Sequence, residues 1–346
     1  MTRRDRVRQA LQHRETDFVP YQVDFTQQEH DRVARHLGDP DFEEKILGHI
    51  ERASFSGPFG VETDRPGFFR DDYGVVWNKT GVDRDIGMMD ALLLPEPDLR
   101  GFAFPVLDVA LARRAFESLI GNGRDTFKIG RVSMALFERA WSLRGMENLL
   151  CDMMLNPGFV DDLPDRIVEY DLGIIDIGLS YDEIDGFYFG DDWGQQTPGL
   201  IMGLANWRRF LKPRLKLMYG KIKSRGRFVI QHSCGNILEL YPDLIEIGLD
   251  VHNTFQPEIY DIVNVKREFG RDLSFWGGIS TQKLLPFATP DVVREETIRI
   301  MGIMRRGGGY VAAPTHSLPG DVPSENVLAM VDVFQHQEAY HVRDAS

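Results

Sequence analysis

The feature that most constrains this chain is a recurring unit. A short apolar run, rich in β-branched and aromatic residues, is followed by a stretch with helical spacing of its apolar positions. The runs are FVPYQVDF (18–25), TFKIGRV (126–132), GFYFGDDW (186–193), RFVIQHSCG (227–235), DVHNTFQ (250–256), LSFWGGIS (273–280) and YVAAPTH (310–316). Each ends in polar or glycine-containing sequence, the mark of a strand end. The stretches between them carry helix punctuation. Thr2 reads as the cap of a first helix, Asn156 with Pro157 opens another, Thr289 with Pro290 a third, and Ser324 a fourth. Gly226 and Gly248 suit left-handed helix stops.

Alternation of strand and helix demands parallel strands joined by right-handed crossovers. A closed barrel and an open doubly wound sheet both satisfy it. The open sheet usually holds a dinucleotide on a glycine fingerprint after its first strand. Here DFTQQEH follows the first strand without a glycine, and the one glycine cluster, RRGGGY, precedes a strand. The reading is therefore a distorted (β/α)8 TIM barrel, formed as a single domain over residues 1–346. Residues 51–125 fit the alternation poorly, and FFRDDYGVVWNKTG within them reads as an inserted hairpin or loop, a lid over the barrel mouth.

Charge and composition remove several classes of function. A formal net charge of −13 leaves no basic footprint for nucleic acid. No apolar run reaches membrane-spanning length, and the arginine-rich start lacks the apolar core of an export signal. Two cysteines, Cys151 and Cys234, form no disulfide framework and fit a reducing cytoplasm. Cys151 lies among Leu and Met at helical spacing and reads as core.

In a barrel the carboxyl ends of the strands line the active site. Those ends offer Asp24, Arg131, Asp191, Asp192, Gln231, His232, Cys234, Asn253, Gln256 and His316. His232 and Cys234 are two apart at a strand end, so they project to the same side. An imidazole and a thiolate suit zinc, and His316 from the last strand would complete a three-ligand site with one open position. The same pair also reads as a hydrogen-bonded barrel histidine beside a small packing residue. Asp191 and Asp192 cannot both face a pocket; one, assigned here as Asp192, serves as general acid/base or orients a histidine. Arg131 offers a bidentate fork for a substrate carboxylate, or a surface ion pair. Asp24, Asp191, Gln231, Asn253 and Gln256 are candidate contacts to a small-molecule substrate. The aromatic residues of RPGFFRDDYGVVW either line an apolar pocket or pack the hairpin.

Longer motifs carry a resemblance. GDDWGQQTPGLIMG, FLKPRLKLMYGKIKSRG, HSCGNILELYPDLIEIGLDVHNTFQPE, FWGGISTQKLLPFATPDVVREE and GGGYVAAPTHSLPGDVPSENVLAMVD follow one another in order. Together with TRRDRVRQALQHRETDFVPYQ and WSLRGMENLLCDMMLNP they resemble the uroporphyrinogen decarboxylase superfamily over nearly the whole chain. The resemblance implies a distorted eight-stranded β/α barrel. It also implies one of two chemistries. True uroporphyrinogen decarboxylases grip porphyrinogen carboxylates with an arginine-rich RQAGRY segment, where this chain has VPYQVDFTQQEH without either arginine. The other branch comprises corrinoid-dependent, zinc-using methyltransferases, similar here through His232, Cys234 and Gly235. Their third ligand is typically a late cysteine; this chain has Thr315 and His316 in that region.

The expectation is thus a methyltransferase of a corrinoid (cobalamin) system. It would use zinc on His232, Cys234 and His316 to activate a thiol or a methyl-donor heteroatom. The corrinoid would come on a partner protein, and a homodimer is compatible. The alternatives are a metal-free lyase decarboxylating a carboxylate substrate, and a non-catalytic corrinoid- or tetrapyrrole-binding barrel.

Overall fold

The computed structural model describes residues 1–53, 60–81, 86–197 and 199–343. Its strands are β1 (Ile50–Ala53), β2 (Val61–Glu62), β3 (Phe68–Arg70), β4 (Val76–Asn78), β5 (Met88–Met89), β6 (Phe127–Val132), β7 (Ile184–Gly190), β8 (Phe228–His232), β9 (Val251–Phe255), β10 (Ser274–Ile279) and β11 (Tyr310–Pro314). Helices separate the later strands one by one, so this is an α/β protein. The chain divides into two compact units, each assembled from separated segments.

One unit comprises Met1–Glu51, Arg124–Phe127 and Asp250–Ser346. In it β9, β10 and β11 pair in parallel, with Phe275 opposite both His252 and Tyr310. All five residues of β9, all six of β10 and all five of β11 are buried, as expected of parallel strands covered on both faces. The expected strand over 18–25 is absent. Tyr21 and Phe25 make only isolated parallel bridges, to Ala312 and Leu318. Pro20, which has no N–H to donate, is one local reason. In place of the eight strands expected of a complete barrel, the larger sheet has seven among the described residues, β1 and β6 to β11. Thr2 caps the first helix by accepting the Asp5 N–H at 3.1 Å, and Thr289 caps helix Pro290–Met304.

The other unit comprises Arg52–Gly123 and Lys128–Leu249. Here β6, β7 and β8 pair in parallel, with Tyr188 level with both Arg131 and Ile230. The stretch that broke the alternation forms a four-stranded antiparallel sheet, β2-β3-β4-β5, which bears out the hairpin reading. Helix Pro157–Gly178 starts at Pro157 as expected, but the Asn156 side chain does not cap it; it donates to Asp152 Oδ1 at 2.8 Å. Cys151 corrects another expectation. It is exposed, because helix Met146–Leu155 buries Leu149, Asp152 and Met153, and Cys151 points away from that face. No helix among the described residues is long and apolar enough to cross a membrane.

Candidate functional site

In the second unit the polar ends of β7 and β8 lie side by side. Gly194 and Gly235 make this possible. A Cβ on Gly235, whose φ is +77°, would sit 2.3 Å from the Gly194 carbonyl carbon. A Cβ on Gly194 would sit 2.5 Å from the Asn236 nitrogen. Only two glycines let the backbones touch in this way. The contact continues as an antiparallel bridge, in which the Asn236 N–H donates to the Gln195 carbonyl at 2.8 Å.

This close approach sets Asp192 against Cys234. The Cys234 N–H donates to Asp192 Oδ1 at 2.7 Å, and the same oxygen lies 3.7 Å from His232 Nε2. His232 Nε2 and Cys234 Sγ are 3.6 Å apart. Both side chains turn to one side, as the two-residue spacing required. The His232 ring lies 5.9 Å from that of Tyr188 on the neighbouring strand, and the Arg52 guanidinium sits 5.3 Å over the Tyr188 ring. Arg131 is level with Tyr188 in the parallel register. Burial, then the charges of Asp192 and Glu138, push the Cys234 thiol well above its ordinary value.

Adjacent Asp191 does a different job. It is completely buried and caps helix Leu136–Arg144. Its oxygens accept the Phe137 N–H at 3.1 Å, the Glu138 N–H at 2.7 Å and the Trp193 indole N–H at 2.7 Å. Burial pushes its carboxyl up to about 7 against the pull of those donors. Gln231 is likewise turned away from the strand-end cluster. It is fully buried, bonded to the Tyr219 hydroxyl and donating to the His232 carbonyl at 2.8 Å. Gln231 and Asp191 thus spend side-chain atoms on bonds within the fold, whereas Asp192 stands with His232 and Cys234.

Two residues here were not foreseen. Arg52 lies on β1, within the stretch 51–125 that fits the alternation poorly. Glu138 lies on a helix, outside the strand-end rule, yet it faces the acids. Burial first, then Asp192 and Asp191, raise its carboxyl well above the usual range.

The first unit carries the remaining candidates. His316 lies exposed, two residues beyond the end of β11. Thr315 beside it is buried, accepts the Thr281 N–H at 3.2 Å and shares a 2.9 Å hydroxyl contact with Thr281. Asn253 is buried and donates to the Trp276 carbonyl at 3.2 Å; Gln256 is buried just past β9. Asp24 is half-buried and accepts from Gln22 Nε2 at 3.1 Å.

These features define an α/β protein whose polar residues gather where parallel strands end. The family model for uroporphyrinogen decarboxylase (URO-D) matches residues 142–337, more than half of the chain. The chain belongs to the uroporphyrinogen decarboxylase family. Among solved structures, a methyltransferase from Methanosarcina mazei aligns with a TM-score of 0.73 at 19% identity, covering 98% of this chain and 99% of that one. A crystal structure of Dispersin B aligns with a TM-score of 0.41 at 10% identity, covering 93% and 99% of the two chains. No curated protein sequence matches.

Proposed function

We propose that this protein is a zinc-dependent methyltransferase working with a corrinoid-carrying partner on a small-molecule substrate. The carrying observation is the 3.6 Å between His232 Nε2 and Cys234 Sγ. A tetrahedral zinc, with nitrogen at about 2.0–2.1 Å and sulfur at about 2.3 Å, spaces those two ligands about 3.6 Å apart. The donor set of two imidazoles and a thiol in His232, Cys234 and His316 suits a metal ion. The methyltransferase from Methanosarcina mazei supplies the reaction class to be tested.

Zinc bound there would act as a Lewis acid toward a thiol or a methyl-donor heteroatom. The chain's own residues do the rest. Asp192 fixes the Cys234 backbone through its N–H and stands beside the His232 ring, so the sulfur and the imidazole keep one mutual orientation. Arg131, level with Tyr188 on the neighbouring strand, and Arg52, over the Tyr188 ring, would supply cations for an anionic end of the substrate. Glu138, half-buried on the helix that Asp191 caps, would add a further carboxyl beside these acids. A porphyrinogen with its many carboxylates is disfavoured by VPYQVDFTQQEH, which lacks the arginines that would grip them.

The test is metal analysis of protein purified without chelator, paired with a methyl-transfer assay. About one zinc per chain is expected, lost in His232→Ala, Cys234→Ser and His316→Ala. Protein-dependent consumption of methylcobalamin by a thiol is expected in the zinc form only. Less than about a tenth of an equivalent of zinc sinks the proposal. So does metal-independent release of carbon dioxide from a carboxylate substrate.

A further inference from the structure

The antiparallel sheet β2-β3-β4-β5 was expected as a lid. Its buried contacts point elsewhere. Asp71, in the turn after β3, is buried and accepts four donors: the Tyr73 N–H at 3.0 Å, the Val75 N–H at 2.9 Å, the Trp77 indole N–H at 3.0 Å and Arg139 at 2.6 Å. The Arg139 guanidinium also lies 4.3 Å over the Tyr73 ring. Side-chain exposures of 4% and 0% place this ion pair out of water. Arg139 Nε has no partner among the described residues, yet removing one member of a buried ion pair is strongly destabilising, so the pair ties together the two elements it joins.

Arg139 sits on helix Leu136–Arg144, the helix capped by Asp191 and carrying Glu138. Asp191 is bonded in sequence to Asp192, which holds the Cys234 N–H. One short helix is therefore gripped from the inserted sheet by Arg139 and from the end of β7 by Asp191. Glu138 lies between the two grips.

We propose that the inserted sheet is a brace for the site: Asp71 and Arg139 are positioning residues that hold the helix capped by Asp191, and through Asp191 and Asp192 the backbone of Cys234. This rests on the reading of Cys234 as a metal ligand, and it adds a role for the insertion that is independent of any closing motion. Neither residue touches substrate.

The experiment uses full-length protein carrying Cys151→Ser, which leaves Cys234 as its one thiol. Two quantities are measured well below the unfolding temperature: the iodoacetamide alkylation rate of Cys234 in metal-free protein, and the affinity and visible spectrum of bound cobalt(II). Arg139→Met is expected to change the alkylation rate by about threefold or more. It is also expected to weaken cobalt(II) binding about tenfold, the usual size of an outer-shell effect, with a shifted ligand-field envelope. Arg139→Lys, which keeps a cation beside Asp71, should recover part of both. If Arg139→Met does not fold, the paired variant Asp71→Asn/Arg139→Met removes both charges together and is measured instead. A lowered unfolding temperature with alkylation rate and cobalt spectrum unchanged overturns the brace. Failure of the parent protein to take up cobalt(II) refutes the metal reading instead, and the alkylation rate alone then decides the brace.

Discussion

Glu29 gives the sharpest stability prediction. It lies third in helix Gln27–Leu37 after the cap Thr26, so Thr26-Gln27-Gln28-Glu29 has the form of a capping box. Half of the box is made: Thr26 Oγ1 accepts the Glu29 N–H at 3.2 Å. The reciprocal half is blocked, because the Thr26 N–H is spent on the Leu318 carbonyl at 3.1 Å. The Glu29 side chain is left fully buried, with neither carboxylate oxygen bonded among the described residues. Burial, opposed by Arg32 and aided by Asp321, pushes its carboxyl from 4.5 up to about 7.

The sign follows from linkage. The folded state binds the proton more tightly than the unfolded chain, so Glu29 contributes no penalty below about pH 4.5 and destabilises progressively as pH rises toward 7. A displacement of roughly 2.5 pH units at about 1.4 kcal/mol per unit sets an upper bound near 3.5 kcal/mol. Relaxation around the charge and the nearby Arg32 reduce this to about 1–3 kcal/mol. Glu29→Gln mimics the neutral form. Urea unfolding should show it equal to the parent at pH 4.5 and more stable by about 1–3 kcal/mol at pH 8. A difference between the two proteins that stays constant within about 0.5 kcal/mol across that range refutes the reasoning.

Two further outcomes follow. Asp192→Ala removes the acceptor of the Cys234 N–H and should weaken zinc binding about tenfold to a hundredfold in a competitive chelator titration; an unchanged affinity removes Asp192 from the site. Cys151→Ser should leave stability within about 0.5 kcal/mol, since the residue is exposed, and a larger loss in urea unfolding would return it to the core.

How much of this could be read beforehand depends on what each residue's neighbours had to decide. The strands β6 to β11 announced themselves because parallel strands buried on both faces must be nearly continuous apolar runs. His232 and Cys234 were legible because strand period alone fixes their common side. The 18–25 run misled, since its apolar character comes with Pro20, and its backbone bonds are too sparse for a ladder. Cys151 was legible and misread. Leu149 and Met153 are four apart and mark the buried face, and a residue two away from either faces the other way. Glu138 and Arg52 were hidden for different reasons. A helix gives no sign of which turn meets a distant strand end, and Arg52 sits on β1, a four-residue strand just before the antiparallel sheet breaks the pattern.

The pair Asp191 and Asp192 shows why the remaining step needed coordinates. Successive residues at a strand end leave on opposite sides, so the sequence required one acid inside and one at the site, without saying which. The choice is made by the helix that follows β6. Its first turn presents two N–H groups that only a carboxylate on the Asp191 side can reach, at 3.1 and 2.7 Å. Once Asp191 is committed to that cap, Asp192 must face the β8 loop, and the Gly194–Gly235 contact brings the Cys234 N–H within 2.7 Å of it. Capping a helix and ordering a candidate metal ligand are therefore one geometric event. A change at either acid is transmitted to the other through a single peptide bond.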